Sequence, residues 1–315
     1  KKTDDLLFFR PIPTQTGFAN YASNIGSVEN KGFEIALNSV NFAGTGNGFN
    51  WTTDLNLSFN RNEVTELYQG QDIFYGFGGN SLVLREGEPI GTFYGFISDG
   101  VYSTTDEIPI SRQQQGAQAG DINFRDINGD GLLTDDDLTI IGDAQPDFVG
   151  GFTNNFTYKG FDLNIFLQFS YGNEIANPAH QYQKHLGNDF LDDNMLDDVL
   201  DRWQQEGDVT DSPRATVLDL NNNNRSNSSR FIYDGSYLRF KNVILGYTLP
   251  TSIVERMKLR SLRVYAQAQN LFTFTDYPGF DPEVNFAGTS NTTIGVDFYT
   301  FPQARTITFG VNLGF

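Results

Sequence analysis

The chain has 315 residues, a formal charge of −18 and no cysteine. The charge argues against nucleic acid and anionic membrane surfaces as partners, since phosphates are met by Lys and Arg; without cysteine there is no disulfide, thiolate site or thiol nucleophile. Hydrophobic residues make up only 38% while aromatics reach 14%, and no apolar run approaches the roughly 18 residues of a membrane-spanning helix, so a path across a bilayer would have to be made of strands.

Lys1–Phe9 reads as the interior of a strand and lacks the apolar region and cleavage site of a signal peptide, which points to a piece of a longer chain. Pro11 to Val28 is rich in turn formers and reads as a loop. Gly32–Phe42 alternates, with Phe33, Ile35 and Leu37 on one face and Glu34, Ala36 and Asn38 on the other. A Gly-rich turn, 43–48, leads to Trp51–Arg61, which alternates again. Residues 62–147 are mixed, with one short strand expected at Gly91–Ser98. Phe148–Tyr158 and Phe161–Tyr171 alternate on either side of Lys159-Gly160, the strongest hairpin in the chain. The polar segment 172–234 holds one helical candidate, Phe190–Gln205, from the spacing of Leu191, Met195, Val199 and Trp203. Tyr237–Tyr247 is a strand whose phase slips at Lys241-Asn242, the mark of a bulge. Leu249–Leu259 is a proline-started turn of helix, Leu262–Phe272 a strand, and 273–300 a long loop.

In the last segment, Gln303–Phe315, the residues Arg305, Ile307, Phe309, Val311, Leu313 and Phe315 share one side, and Ala304, Thr306, Thr308, Gly310, Asn312 and Gly314 the other. A large apolar face opposite a small or polar one fits a wall between lipid and a wet lumen. Short turns at 43–48, 159–160 and 248–261 alternate with long loops at 11–28, 172–234 and 273–301, as in outer-membrane barrels. Parity requires 62–147 to lie wholly on the loop side or to hide an even number of strands. The expected fold is therefore all-β, a transmembrane antiparallel barrel wall of about eight or ten strands with long extracellular loops, forming one domain over 1–315.

Five phrases then carry a resemblance: NIGSVENKGFEIAL (Asn24–Leu37), EGEPIGTFYGFISDGVY (Glu86–Tyr102), GDINFRDINGDGLLTDDDLTIIGDAQPDFVGGF (Gly120–Phe152), DGSYLRFKNVILGYTLP (Asp234–Pro250) and LRVYAQAQNLFTFTDYPGFDPEV (Leu262–Val284). Together they resemble the carboxy-terminal part of SusC/RagA-type TonB-linked outer-membrane transporters. The resemblance implies part of a plugged barrel of about 22 strands that imports oligosaccharides or peptides under a SusD-like surface lipoprotein. It implies coupling to the TonB complex through an amino-terminal part that this sequence does not contain. It also implies that the closing strand, with Phe309, Val311, Leu313 and Phe315, is read by the barrel-assembly machinery.

Among local motifs, DINGDGLLTDDD (Asp126–Asp137) has the spacing of a calcium loop. Asp126, Asn128 and Asp130 stand at positions 1, 3 and 5, Gly131 at the sharp turn, the Leu132 carbonyl at 7, Thr134 at 9 and Asp137 at 12. Asp at the last position, where that loop carries Glu, is a shorter arm, and the alternative is an Asp/Asn/Gly turn folded on itself. A structural Ca2+ ordering a long loop is the expectation. His180 and His185 read as solvated loop histidines, with Asp189, Asp192 and Asp193 as candidate co-ligands for zinc. The pairs Asp192-Asp193 and Asp197-Asp198 lack the facing geometry of a glycosidase, so no catalytic residue is assigned and no enzyme is expected. Tyr182, Phe190, Trp203, Tyr277, Phe280 and Phe286 could stack on sugars or peptide side chains, or pack the loops. The functional expectation is a nutrient importer; the alternative is a surface binding or adhesion barrel without active transport.

Overall fold

The computed structural model describes residues 1–315 except 5–6, 12–14, 16, 18–19, 25, 47, 77–80, 187–193, 284, 289 and 291. Eight strands follow one another through a single antiparallel sheet: β1 (Lys2–Thr3), β2 (Gly26–Ala43), β3 (Asn50–Leu67), β4 (Phe148–Tyr158), β5 (Phe161–Tyr171), β6 (Tyr237–Thr248), β7 (Ser261–Gln269) and β8 (Thr306–Gly314). Each is bonded to its neighbour in the chain, the up-and-down order of a barrel wall. A ninth piece, Thr273–Thr275, prolongs β7 along β6.

Register carries the alternation across the whole wall. Leu55 of β3 stands between Leu37 of β2 and Phe152 of β4. Leu163 of β5 stands between Phe156 of β4 and Leu245 of β6, and Ala266 of β7 between Leu245 and Phe309 of β8. This face is open to its surroundings: Phe33 is 58% exposed, Leu245 51% and Phe309 80%. So wide an exposed apolar face is unstable in water and is what a lipid-facing wall requires. Among the polar side chains that fall on it are Thr53 and Asn154. Thr53 Oγ1 donates to Asn154 Oδ1 at 2.9 Å, and the same oxygen accepts the Trp51 indole N–H at 2.8 Å, since groups next to lipid must be paired. The opposite face carries Glu34, Asn56, Gly151, Asn164, Gly246 and Thr308.

The hairpin β4–β5 forms at the expected residues because both turn positions tolerate a left-handed backbone, Lys159 at φ +49° and Gly160 at φ +88°. The phase slip in β6 is a bulge: Phe166 pairs with Asn242 and Leu167 with Phe240, leaving Lys241 extra. Its carbonyl accepts from Asn270 N, where β7 breaks. Leu249–Leu259 contains the expected helical turn, Thr251–Val254.

Three expectations need correction. Residues 11–28 are not all loop, because Leu7–Pro11 pairs with Asn20–Asn24 and β2 starts at Gly26. The β2 and β3 strands reach 18 residues each, against 11 for β4 and β5, so they rise ~23 Å beyond the others. Among the described residues, 62–147 contribute no wall strand beyond the end of β3, so of the two strand counts left open the described wall has eight. Phe190–Gln205 is not one helix. Residues 190–193 and Asp189 lie outside the described residues, and the rest holds only a 3-10 turn, Asp197–Asp201. Its end is drawn off by other partners: Trp203 N donates to Ser212 O, and Asp208 accepts from Gln204 N and Gln205 N. No helix among the described residues is long and apolar enough to cross a membrane.

Candidate functional site

All the short turns lie at one end of the wall. The long connections, 68–147, 172–236 and 270–305, gather at the other and share a core. A four-stranded sheet of Ile73–Tyr75, Leu82–Leu84, Thr92–Gly95 and Thr139–Asp143 sits on the raised ends of β2 and β3 through Val28, Val64, Leu67 and Leu84. Farther along the same face, Leu82 and Phe93 pack against Ala176 and Val296 from the two later connections. Backbone bonds stitch them together: Ala176 N to Gly295 O at 2.9 Å, Asp297 N to Ala176 O at 2.9 Å, and Phe96 N to Asn227 O at 2.9 Å. Connections so joined hold the positions of the groups they carry, which is what a recognition surface needs.

The tract Asn221–Asn224 supplies polar joints inside this core. Asn223 accepts from Ile122 N at 2.7 Å and donates to Asp121 at 2.9 Å, while Asn221 donates to Ile122 O at 2.9 Å. Asp121, fully buried, also takes Arg214 Nε at 2.7 Å. These amides do for one short strand what a further strand would otherwise do, pairing both the N–H and the C=O of Ile122.

On the polar face of the wall, Arg239 of β6 is 2% exposed and donates to both Asp281 and Glu283 of the last connection; Lys241 Nζ reaches Glu283 at 2.8 Å. Asp281 also accepts from Gln303 N at 2.8 Å. Gln168 of β5 joins the cluster through the Tyr237 hydroxyl at 3.0 Å. The last connection is thus fastened to the inside of the wall. This clamp was not foreseen. Its signal was two cations, Arg239 and Lys241, in a strand that should turn only polar or apolar groups inward, followed by Asp281 and Glu283 in a loop.

His180 and His185 are both buried, contrary to expectation. His180 Nδ1 is 2.7 Å from the Tyr233 hydroxyl, and burial, then the charge of Lys184, lowers its pKa to about 4. Tyr277 is buried as well, donating to Asp297 at 2.7 Å and accepting from Asn177 at 2.8 Å; burial pushes its phenol far above its usual range. Trp203 donates to Ser103 O at 3.0 Å. Tyr182 and Phe286 both pack on Phe298. Of the aromatics named for ligand stacking, only Phe280 is strongly exposed among those described, and Phe190 lies outside the described residues. Of the Asp197-Asp198 pair, Asp198 binds Lys184 at 2.5 Å. Asp192 and Asp193 also lie outside the described residues. Between Ser98 and Gly100, Lys184, 198–212 and 229–233 lies a cleft of about 570 Å³.

In the Asp126–Asp137 loop, Asp126 accepts from Gly129 N and Gly131 N at 2.7 Å each. Asn128 accepts from Asp130 N at 2.9 Å, and Asp130 from Leu132 N at 2.7 Å. Asp137, fully buried, accepts from Ile127 N and Thr134 N at 2.9 Å each and completes a capping box with Thr134. The structure therefore gathers Asp126, Asn128 and Asp130 on one turn but gives Asp137 a different task, holding the two ends of the loop together. The first three positions and their hard oxygens suit calcium; the twelfth does not supply a free carboxylate. Among the described residues no group of three or more His, Asp or Glu is placed to hold a metal ion.

No family model matches the chain. It is 41% identical over its whole length to TonB-dependent receptor P3 of Formosa agariphila, of which it spans 31%. It is 30% identical over its whole length to TonB-dependent receptor SusC of Bacteroides thetaiotaomicron, spanning 29% of it.

The chain belongs with the SusC/RagA-type TonB-dependent receptors.

Its fold agrees. All of it superposes on 32% of the RagAB peptide transporter with a TM-score of 0.79 at 24% identity. The RagAB peptide importer in an open state gives 0.76. The open eight-strand sheet is accordingly a sector of such a receptor's barrel wall, and the chain spans about a third of the length of the relatives it matches.

Proposed function

We propose that the parent protein is a TonB-dependent outer-membrane importer of oligomeric nutrients, oligosaccharides or peptides, working with a SusD-like surface lipoprotein. The observation that carries this reading is the match of the whole chain to TonB-dependent receptors, SusC among them. The architecture supports it: an apolar wall faces outward, and a packed loop assembly is clamped to the polar inner face, where incoming ligand would be met. In this reading the loops are extracellular and the short turns periplasmic. Energy coupling to the TonB complex would run through segments outside this chain. The alternative, an adhesion barrel, makes no use of loops fastened across the inner face of the wall.

Two further roles are proposed within it. A structural Ca2+ would sit at Asp126, Asn128, Asp130 and the Leu132 carbonyl, supported by their spacing and shared turn, with Asp137 as the clasp behind them. The outer face of β8, with Phe309, Val311, Leu313 and Phe315 all exposed, would meet membrane lipid and be read by the barrel-assembly machinery. The deciding experiment compares uptake of labelled glycans and peptides in strains with and without the gene, and tests for a lipoprotein that copurifies. Equal uptake of every probe by both strains sinks the importer reading.

A further inference from the structure

Arg230 is set apart from the other cations of the loop assembly. The ion pairs there are Arg85–Asp72, Arg125–Asp99, Lys184–Asp198 and Arg214–Asp121, and Arg230 enters none of them. It is held in place by the 3-10 turn Ser229–Phe231, by the Phe231 ring 5.2 Å from its guanidinium carbon, and by one bond from Nη1 to Asn223 O at 2.7 Å. A guanidinium offers five N–H donors in a fixed fork, so most of its capacity is unused. Burial lowers its pKa to about 10, still charged at neutral pH. The side chain is only partly buried, so its unused donors are open to an incoming anion.

Arg112, Arg202 and Arg225 also lack ion-pair partners among the described residues, but none of them lines the cleft that Arg230 lines. Arg225 lies over the rings of Phe96 and Phe124 at 4.2 and 4.8 Å, and Arg112 is buried in its own helical turn. Arg230 lines the cleft of about 570 Å³, together with Lys184, Asp198, Asp201, Asp211 and Tyr233. Lys184 is committed to Asp198, which leaves Arg230 as the cation able to take an incoming anion. Asp201 and Asp211, in no ion pair among the described residues, add acceptors for hydroxyl or ammonium donors on the same ligand.

We propose that this cleft is a subsite for a carboxylate-bearing unit of the transported oligomer, with Arg230 as the group that reads the carboxylate through its bidentate fork. That the ligand is transported rests on the importer reading above; the subsite itself does not. Two sources share this chemistry, a uronic acid in an oligosaccharide and the free carboxy terminus of a peptide.

The test uses the full-length parent receptor, purified in detergent, and calorimetric titration with four probes: a uronate trisaccharide, its neutral counterpart, a tripeptide with a free carboxy terminus, and the same tripeptide amidated. At least one carboxylate probe should bind more tightly than its neutral counterpart. Arg230→Gln should weaken that probe about 10- to 100-fold, the worth of a hydrogen bond to a charged group, and leave the neutral one unchanged. Arg230→Lys should recover part of the loss, and Arg125→Gln should change nothing. Which arm responds identifies the source. The proposal is overturned if neither carboxylate is preferred, if Arg230→Gln binds as the parent does, or if it weakens neutral and charged probes alike. Should Arg230→Gln fail to assemble, Arg230→Lys decides the matter, since a shorter point charge weakens only the carboxylate probe. Uptake in the deletion strain is scored separately, so the importer reading can fail while the subsite stands, and the reverse.

Discussion

Arg239 and Asp281 lie 42 residues apart and form a buried ion pair that joins the inner face of β6 to the last long connection. Glu283 and Lys241 extend it, and Gln303 N ties the same carboxylate to the approach to β8. Burial alone would raise the Asp281 pKa; the bonds from Arg239, Gln303 N and Glu283 N outweigh it and hold the carboxyl below its usual value. Removing one partner of such a pair costs about 3–5 kcal/mol because the other charge is left uncompensated. Arg239→Leu should open 276–303 to protease while the wall stays folded. Adding Asp281→Leu should restore much of the protection, and a double variant as labile as the single one would speak against the clamp.

His180 makes the middle connection acid-sensitive. Its folded pKa, about 4, lies below the ordinary 6.5, so the opened loop takes up the proton first. Stability is complete above about pH 6.5, declines as pH falls through that value and levels off below about 4, a total of about 3 kcal/mol. Hydrogen exchange of residues 172–186 at pH 7, 5 and 4 should show this slope, and His180→Gln should flatten it. An unchanged slope in that variant would assign the acid response elsewhere.

The Asp126–Asp137 loop separates two roles. Asp137→Ala strips the bonds to Ile127 N and Thr134 N from a fully buried site and should cost about 1–3 kcal/mol per orphaned group, seen as faster exchange of those two amides with or without chelator. Asp130→Ala tests the proposed Ca2+. Chelator should speed proteolysis of the parent loop but leave Asp130→Ala unaffected; no chelator effect on the parent removes the ion.

The β4–β5 turn is a folding determinant of the wall. A Cβ at Gly160 would meet Thr248 O at 2.7 Å with φ at +88°, strained on both counts. Gly160→Val should lower the yield of heat-resistant barrel on mild-detergent gels, and Lys159→Asn should not, since Asn accepts a left-handed backbone.

On β8, Phe315→Ala should reduce the assembled receptor at the cell surface without altering ligand affinity of the fraction that assembles. Unchanged surface levels would remove the assembly role proposed for this face.

The sequence by itself determined the wall. Alternation has a period of two and acts between nearest neighbours, so Phe156 facing Leu163 across Lys159-Gly160, and the slip at Lys241, were legible from local pattern alone. The family was legible too, in phrases such as Asp234–Pro250. Only the tertiary structure decided what the long connections are. They read as polar loops because no single one carries enough apolar residues for a core; Phe93, Ala176 and Val296 make one only after three distant segments meet. The same holds for Asn221–Asn224, a polar tract in one dimension and a set of buried joints in three, and for His180, whose burial depends on Tyr233. Arg230 and Asp281 followed this rule: a charge in a loop says nothing of its partner until folding brings one to it, or leaves it without one.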